Sequence, residues 1–197
     1  MKPVSTLEDL LDREAIRDVL TRYAHGVNRK DIDLLRTVYW PDAVEDHGTG
    51  VHSDVEEMIA GFTMIAGASV DVFHHLGLPL IRLEGETARS STYVFCHHRV
   101  EGQSKPHWTL PPEPLTEDRK NTFQDFFMGG RYIDLMERRD GEWRIKHRKI
   151  AYDWFRVVDG QKWDTDYPFP GYENFHFGSP SSLDIGAEHF RGAFDPS

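Results

Sequence analysis

The apolar residues of this chain change their period once, near residue 69, and that change limits the fold more than any other feature. Before it come Leu7, Leu10, Leu11, Ile16, Val19, Leu20, Tyr23, Ala24 and Val27. The later ones keep the i, i+3, i+4, i+7 spacing of one helical face. Ser5 with Glu8 reads as a capping box opening this helix, and Gly26 and Asn28 suit its end. A second short helix is expected over 31–39, with Asp31 as its cap and Leu34, Leu35 and Val38 inward. Pro41 should end it, so that a strand starts at 42–47. Ser53 with Glu56 repeats the capping signal and opens a third helix, with Met58, Ile59 and Phe62 on one face. After the change, residues 70–83 and 88–100 read as strands around a turn at 84–86. Residues 126–138 and 142–155 read as a hairpin around Asp140-Gly141, a strong two-residue turn. Helices first and a run of strands afterwards make an α+β fold. One curved, mostly antiparallel sheet around three helices would leave a pocket between them.

Residues 1–156 form the expected domain. Within it, residues 101–125 hold four prolines and read as a long loop, of the kind that often serves as a lid. The tail, 157–197, is rich in Gly and Pro and carries Trp163, Tyr167, Phe169, Tyr172, Phe175 and Phe177. That is too much aromatic surface for free coil, so it is expected to pack on the domain or on a neighbouring subunit. The net charge of −10 disfavours nucleic acid and anionic membranes, which need clustered Lys and Arg. Cys96 is the only cysteine, so neither an internal disulfide nor a thiolate metal cluster can form within one chain. With no signal-peptide pattern and no apolar run of spanning length, a reducing, cytoplasmic location is the expectation.

Two histidine doublets, His74-His75 and His97-His98, fall inside the strand stretches. Alternation sends one imidazole of each doublet inward, where it can exchange a proton near neutral pH. Ile81 and Leu83 share the parity of His75, so His75 is expected in the pocket and His74 outside; a bulge at Gly77 would reverse this. In the next strand, the small set Thr92, Val94, Cys96 and His98 suits a pocket lining. Arg148, Ile150 and Tyr152 share a face that periodicity does not fix. A rival for the same histidines is a two-His-one-carboxylate metal site from His75, His98 and Asp46, which no local ligand spacing supports.

Four stretches, Arg13–Asp31, 39–48, the His-His-Leu-Gly at 74–77 and Gly129–Arg148, resemble the SnoaL-like branch of the NTF2-like superfamily. That branch holds scytalone dehydratase and the hexachlorocyclohexane dehydrochlorinase. The resemblance implies a cone: a curved sheet around three helices, open at its wide end. It implies a cofactor-independent lyase acting on a small aromatic or alicyclic substrate, with no cofactor or metal, in a homodimer or homotrimer. Elimination of water or another small group, or retro-aldol loss of formaldehyde, would use the same parts. It places the catalytic roles on His75 as base, with Tyr23, His98 and Arg148 beside it. The position of an orienting aspartate holds Asn28, which can fix a tautomer but cannot stabilise an imidazolium by charge. Asn28, Asp46, His47, Tyr132 and Trp40 are then the substrate-binding candidates. The alternatives are an isomerase or cyclase with the same proton shuttle, or a non-catalytic binding module; an outward His75 would favour the binder.

Overall fold

The computed structural model describes residues 6–48, 51–52, 54–101 and 123–160, and residues 178, 179, 181, 184 and 186 of the tail. The elements run α1 (Leu7–Arg29), α2 (Ile32–Arg36), β1 (Tyr39–Asp46), β2 (Val51–His52), α3 (Val55–Ala68), β3 (Ser69–Leu76), β4 (Leu80–Glu84), β5 (Thr87–Glu101), β6 (Phe123–Arg139) and β7 (Glu142–Gly160). Both expected caps act one residue later than the sequence signals. Thr6 caps α1 through a capping box with Asp9, and the Asp54 carboxylate accepts from the Glu57 N–H at the start of α3. In each case two cap-forming residues are adjacent, and periodicity does not choose between them. Asp31 caps α2 as expected, accepting from the Leu34 N–H at 3.0 Å. Pro41 does not precede a strand but lies within β1, where the pairing with β7 is irregular between Tyr39 and Val44. An interrupted ladder tolerates a missing N–H.

The sheet runs β2-β1-β7-β6-β5-β3, with β4 also on β5. Every pairing is antiparallel except β1 with β7. The β6–β7 hairpin turns on Asp140 and Gly141, both at positive φ (53° and 83°), the geometry that Asp-Gly favours. Bulges curve the sheet. Leu135 and Met136 are neighbours on β6, yet their β7 partners, His147 and Ile145, are two residues apart. Gly129 and Gly130 are neighbours as well, and their partners are Trp154 and Tyr152. Each extra residue on β7 bends the strand and reverses its alternation. Trp143 and Ile145 therefore point inward at one end, and Arg148 and Ile150 point inward past the first bulge. The second bulge needs glycine, because a Cβ on Gly130 would lie 2.3 Å from the Ala151 carbonyl oxygen.

The core lies between the concave face and α1, where Ile16, Val19, Leu20, Tyr23 and Val27 are buried. The other face of the sheet exposes Phe73, Tyr93, Phe95, Ile133 and Trp154. Among the described tail residues, Ser179 accepts from Arg29 through its carbonyl and Asp184 pairs with the same guanidinium. The expected loop at 101–125 and the tail aromatics lie largely outside the described residues. Among the described residues, no helix is long and apolar enough to cross a membrane.

Candidate active site

Between α1, α3 and the concave sheet lies a cavity of about 240 Å³. A cavity of roughly 150 Å³ holds benzene, so a substituted ring fits. Apolar side chains make most of its wall. Met58, Ile59, Phe62 and Met64 come from α3, and Val72, Met128 and Ile150 come from the sheet. The polar groups are Tyr23, Tyr39, Glu45, His47, His74, Cys96, His98, Tyr132 and Tyr152.

His74 is the inward member of the first doublet, and His75 is exposed. The parity argument reversed them because β3 and β4 are not one strand. Val94 and Ser91 of β5 are three residues apart, while their partners Leu76 and Leu80 are four apart. The extra residue lies at 77–79, beside the Gly77 N–H that bonds Tyr93, and it flips every side chain before it. His98 is in the cavity, as its strand set suggested, and its ring meets that of His74 edge-on at 5.2 Å. His97 turns to the other face and bonds Asp125 at 2.7 Å.

Asn28 ends α1 against His74. Its Oδ1 accepts from the His74 backbone N–H at 2.6 Å and meets Nδ1 at 3.1 Å, while its amide donates to the His74 carbonyl at 3.0 Å. The donated bond fixes which way the amide faces, so Nδ1 carries the proton and Nε2 is left as a lone pair. Burial, together with the Arg148 charge, pushes the His74 pKa down to about 4. The imidazole is therefore neutral at physiological pH.

Arg148 does not reach the cavity. It is fully buried beneath it, held bidentate by Asp134 at 2.8 and 3.0 Å, with a further bond to the Tyr39 hydroxyl at 3.3 Å. Its guanidinium lies between the rings of Tyr23 and Tyr132, 4.1 and 4.2 Å from their centroids. Burial raises the Tyr23 pKa to about 12, with Glu45 adding to the rise and Arg148 opposing it. The Tyr23 hydroxyl donates to that of Tyr132 at 3.5 Å, and both side chains line the cavity.

Two further candidates lie outside. Trp40 points away from the cavity, its indole donating to the Glu137 carbonyl and its ring covered by Arg139 and Arg144 at 4.8 Å. Asp46 accepts from the Gly48 N–H and pairs with Lys149. On β1 the inward residues are Tyr39, Ala43 and Glu45, and His47 continues their parity. The cavity carboxylate is therefore Glu45, which sequence reasoning missed along with Tyr39. The alternation through Ala43 and Val44 was the available signal.

The metal set of His75, His98 and Asp46 is not assembled, since two of its members face away from the cavity. A different trio, His74, Cys96 and His98, brings its ligand atoms within 4.8 Å of one another. It could hold a metal ion, but its surroundings oppose a cation. Burial pushes the Cys96 thiol to about 12, and the Arg148 charge already acts on His74.

The SnoaL-like domain family matches residues 8–149. The chain belongs to that family. No curated protein matches it. Solved structures share its fold. A hexachlorocyclohexane dehydrochlorinase of type 2 superposes with a TM-score of 0.64 at 19% identity, over 85% of this chain and 99% of that one. The type 3 enzyme from Novosphingobium barchaimii gives 0.62 at 20%, over 78% and 94%. A protein from Kribbella flavida gives 0.60 at 18%, over 75% and 94%. At these identities the likeness is one of fold, and the SnoaL-like cone hosts more than one chemistry.

Proposed function

We propose that this SnoaL-like domain is a cofactor-independent lyase that moves a proton with a pocket histidine on a small aromatic or alicyclic substrate. One observation carries the reading. His74 is buried in the cavity wall with Nδ1 tied to Asn28, so its bare Nε2 faces a ring-sized, mostly apolar space. Nε2 takes a proton from a carbon made acidic by a neighbouring carbonyl or leaving group, or from a hydroxyl. A base with a pKa near 4 is weak but wholly unprotonated at neutral pH, and an oxyanion formed beside it would stabilise the imidazolium. The Tyr132 hydroxyl, which accepts from Tyr23, serves as the donor to such an oxyanion, and His98 lines the same cavity. Elimination of water, elimination of another small group and retro-aldol loss of formaldehyde all follow from the same base. The fold shared with the dehydrochlorinases supports the reaction class.

The test is a panel of ring compounds bearing a hydroxyl, chloride or hydroxymethyl group β to an acidic position, followed for the released group and the new double bond. His74→Ala should lower turnover about 10²- to 10⁴-fold. His75→Ala should leave it unchanged. Equal turnover by wild type and His74→Ala would refute the assignment.

The binding-module reading draws on two observations: His75 faces solvent, and among the described residues no arginine side chain lines the cavity. It predicts tight binding of ring compounds with no turnover by wild type. A dimer or trimer is also part of the proposal. The exposed Phe73, Tyr93, Phe95, Ile133 and Trp154 supply an apolar sheet face, and sedimentation equilibrium would read the assembly directly.

A further inference from the structure

The cavity holds a second chain of proton-bearing groups that the His74 reading does not use. Glu45 is buried in the wall on an inward β1 position. A buried carboxylate is costly unless fully partnered, and this one is. Tyr39 donates its hydroxyl to Oε2 at 2.8 Å, and His47 places Nε2 3.1 Å from Oε1. Burial works to raise the Glu45 pKa, yet the bond and charge of His47, with Arg148 and Tyr39, hold it below its ordinary value. The other ring nitrogen of His47, Nδ1, lies 3.4 Å from the Tyr152 hydroxyl. Glu45, His47 and Tyr152 all line the cavity.

Their position relative to His74 matters most. β1 and β3 stand four strand positions apart in the sheet, with β7, β6 and β5 between them. In a flat sheet they would be roughly 19 Å apart, at four strand spacings. The curvature brings both strands onto one cavity of about 240 Å³. A ring in that space has an Asn28-held histidine on one side and a carboxylate-held histidine on the other. Asn28 offers its imidazole a neutral amide oxygen, whereas Glu45 offers His47 a carboxylate oxygen.

We infer that Glu45, His47 and Tyr152 form a second proton-transfer site, which binds a hydroxyl, carbonyl or phenolic oxygen of a ring compound and protonates it. This rests on the lyase reading and supplies the acid for its base. His74 Nε2 takes the proton from carbon, and the C–H electron pair becomes the new double bond. The C–O bond breaks, and its electrons stay on the leaving oxygen, which takes the Tyr152 hydroxyl proton. Tyr152 recovers a proton from Nδ1 of the His47 imidazolium, leaving His47 neutral with its Nε2–H still on Glu45. Water departs, and solvent returns the proton from His74 to His47. Tyr152 touches the leaving oxygen; His47 and Glu45 act through it as positioning residues.

Phenol and fluorobenzene form a probe pair that differs in the hydroxyl and is independent of turnover. A site built around an oxygen discriminates against the analogue lacking it. Calorimetric titration of wild type should show phenol binding at least about tenfold tighter than fluorobenzene. Tyr152→Phe should bring the ratio near one, His47→Gln should reduce it severalfold, and His74→Gln should leave it. Glu45→Gln should also reduce the ratio severalfold by releasing the His47 ring, and Glu45→Asp, which keeps the carboxylate, should restore part of it, a rescue that loss of packing alone would not produce. If Glu45→Gln or His47→Gln does not fold, Tyr152→Phe removes one oxygen and still decides the matter. A ratio near one in wild type, or one that survives Tyr152→Phe and disappears in His74→Gln, overturns the inference. A ratio that behaves as stated while no ring compound is turned over keeps the oxygen site and removes the lyase reading.

Discussion

Asn28→Asp should convert His74 from a neutral imidazole into one that titrates near pH 7. In the wild type, Asn28 Oδ1 lies 3.1 Å from His74 Nδ1 and contributes a dipole but no charge. A carboxylate there puts a unit negative charge about 4 Å from the imidazolium charge, worth about 4 kcal/mol at an effective dielectric constant of about 20. At 1.36 kcal/mol per pKa unit this is about 3 units. His74 should therefore rise from about 4 to roughly 7. The same shift governs acid stability. The wild-type folded pKa of about 4 lies below the ordinary 6.5, so the unfolded chain binds the extra proton first. Stability from this group is fully present above pH 6.5 and is lost as pH falls toward 4, by about 3 kcal/mol. Asn28→Asp should abolish most of that loss. It should also destabilise the protein by about 1 kcal/mol near pH 8, where the amide donation to the His74 carbonyl is gone. Long-range ¹H–¹⁵N spectra of ¹⁵N-histidine protein, titrated from pH 3.5 to 8.5, read His74 directly. Urea unfolding at pH 5 and 7.5 reads the linkage. A wild-type His74 with an ordinary midpoint, or a variant shift below half a unit, would refute the placement of Asn28 behind His74.

Arg148→Met should cost about 3–5 kcal/mol, measured by urea unfolding, because it leaves Asp134 buried and unpaired; adding Asp134→Leu should recover most of that loss. Trp40→Ala removes an indole covered by two guanidinium groups and should lower stability by about 1–2 kcal/mol. Phenol affinity should not change in that variant, and a loss of affinity would place Trp40 at the site after all.

The order of helices and strands was legible because each element carries its own period, and the Asp140-Gly141 turn fixed the hairpin. The side-chain faces were less legible. Parity runs correctly along a strand but does not survive an odd residue, and this sheet has such residues at 77–79 and twice on β7. The first exchanged His74 for His75. The bulge near His147 left the face of Arg148 undetermined. Arg148 also shows that the right face is not enough. It points inward but ends beneath the tyrosines, where Asp134 of β6 meets it across the ladder. A pairing between strands is not visible in either strand alone. His98 was legible because β5 runs without interruption past it, whereas Tyr132 was reached only through the family resemblance.

The division of labour around the cavity has an evolutionary consequence. Glu45, His47, His74, His98, Tyr132 and Tyr152 all belong to β1 and its C-terminal flank or to β3, β5, β6 and β7, whereas α3 contributes Met58, Ile59, Gly61, Phe62 and Met64. The share of the wall that α3 supplies is therefore apolar, and the groups proposed to move protons lie on other pieces of chain. Substitutions along a single helix can enlarge, narrow or tilt the space for a ring without moving an imidazole or a carboxylate. A scaffold arranged this way can acquire a new substrate while keeping its chemistry, and α3 is where a library aimed at altered selectivity should be built.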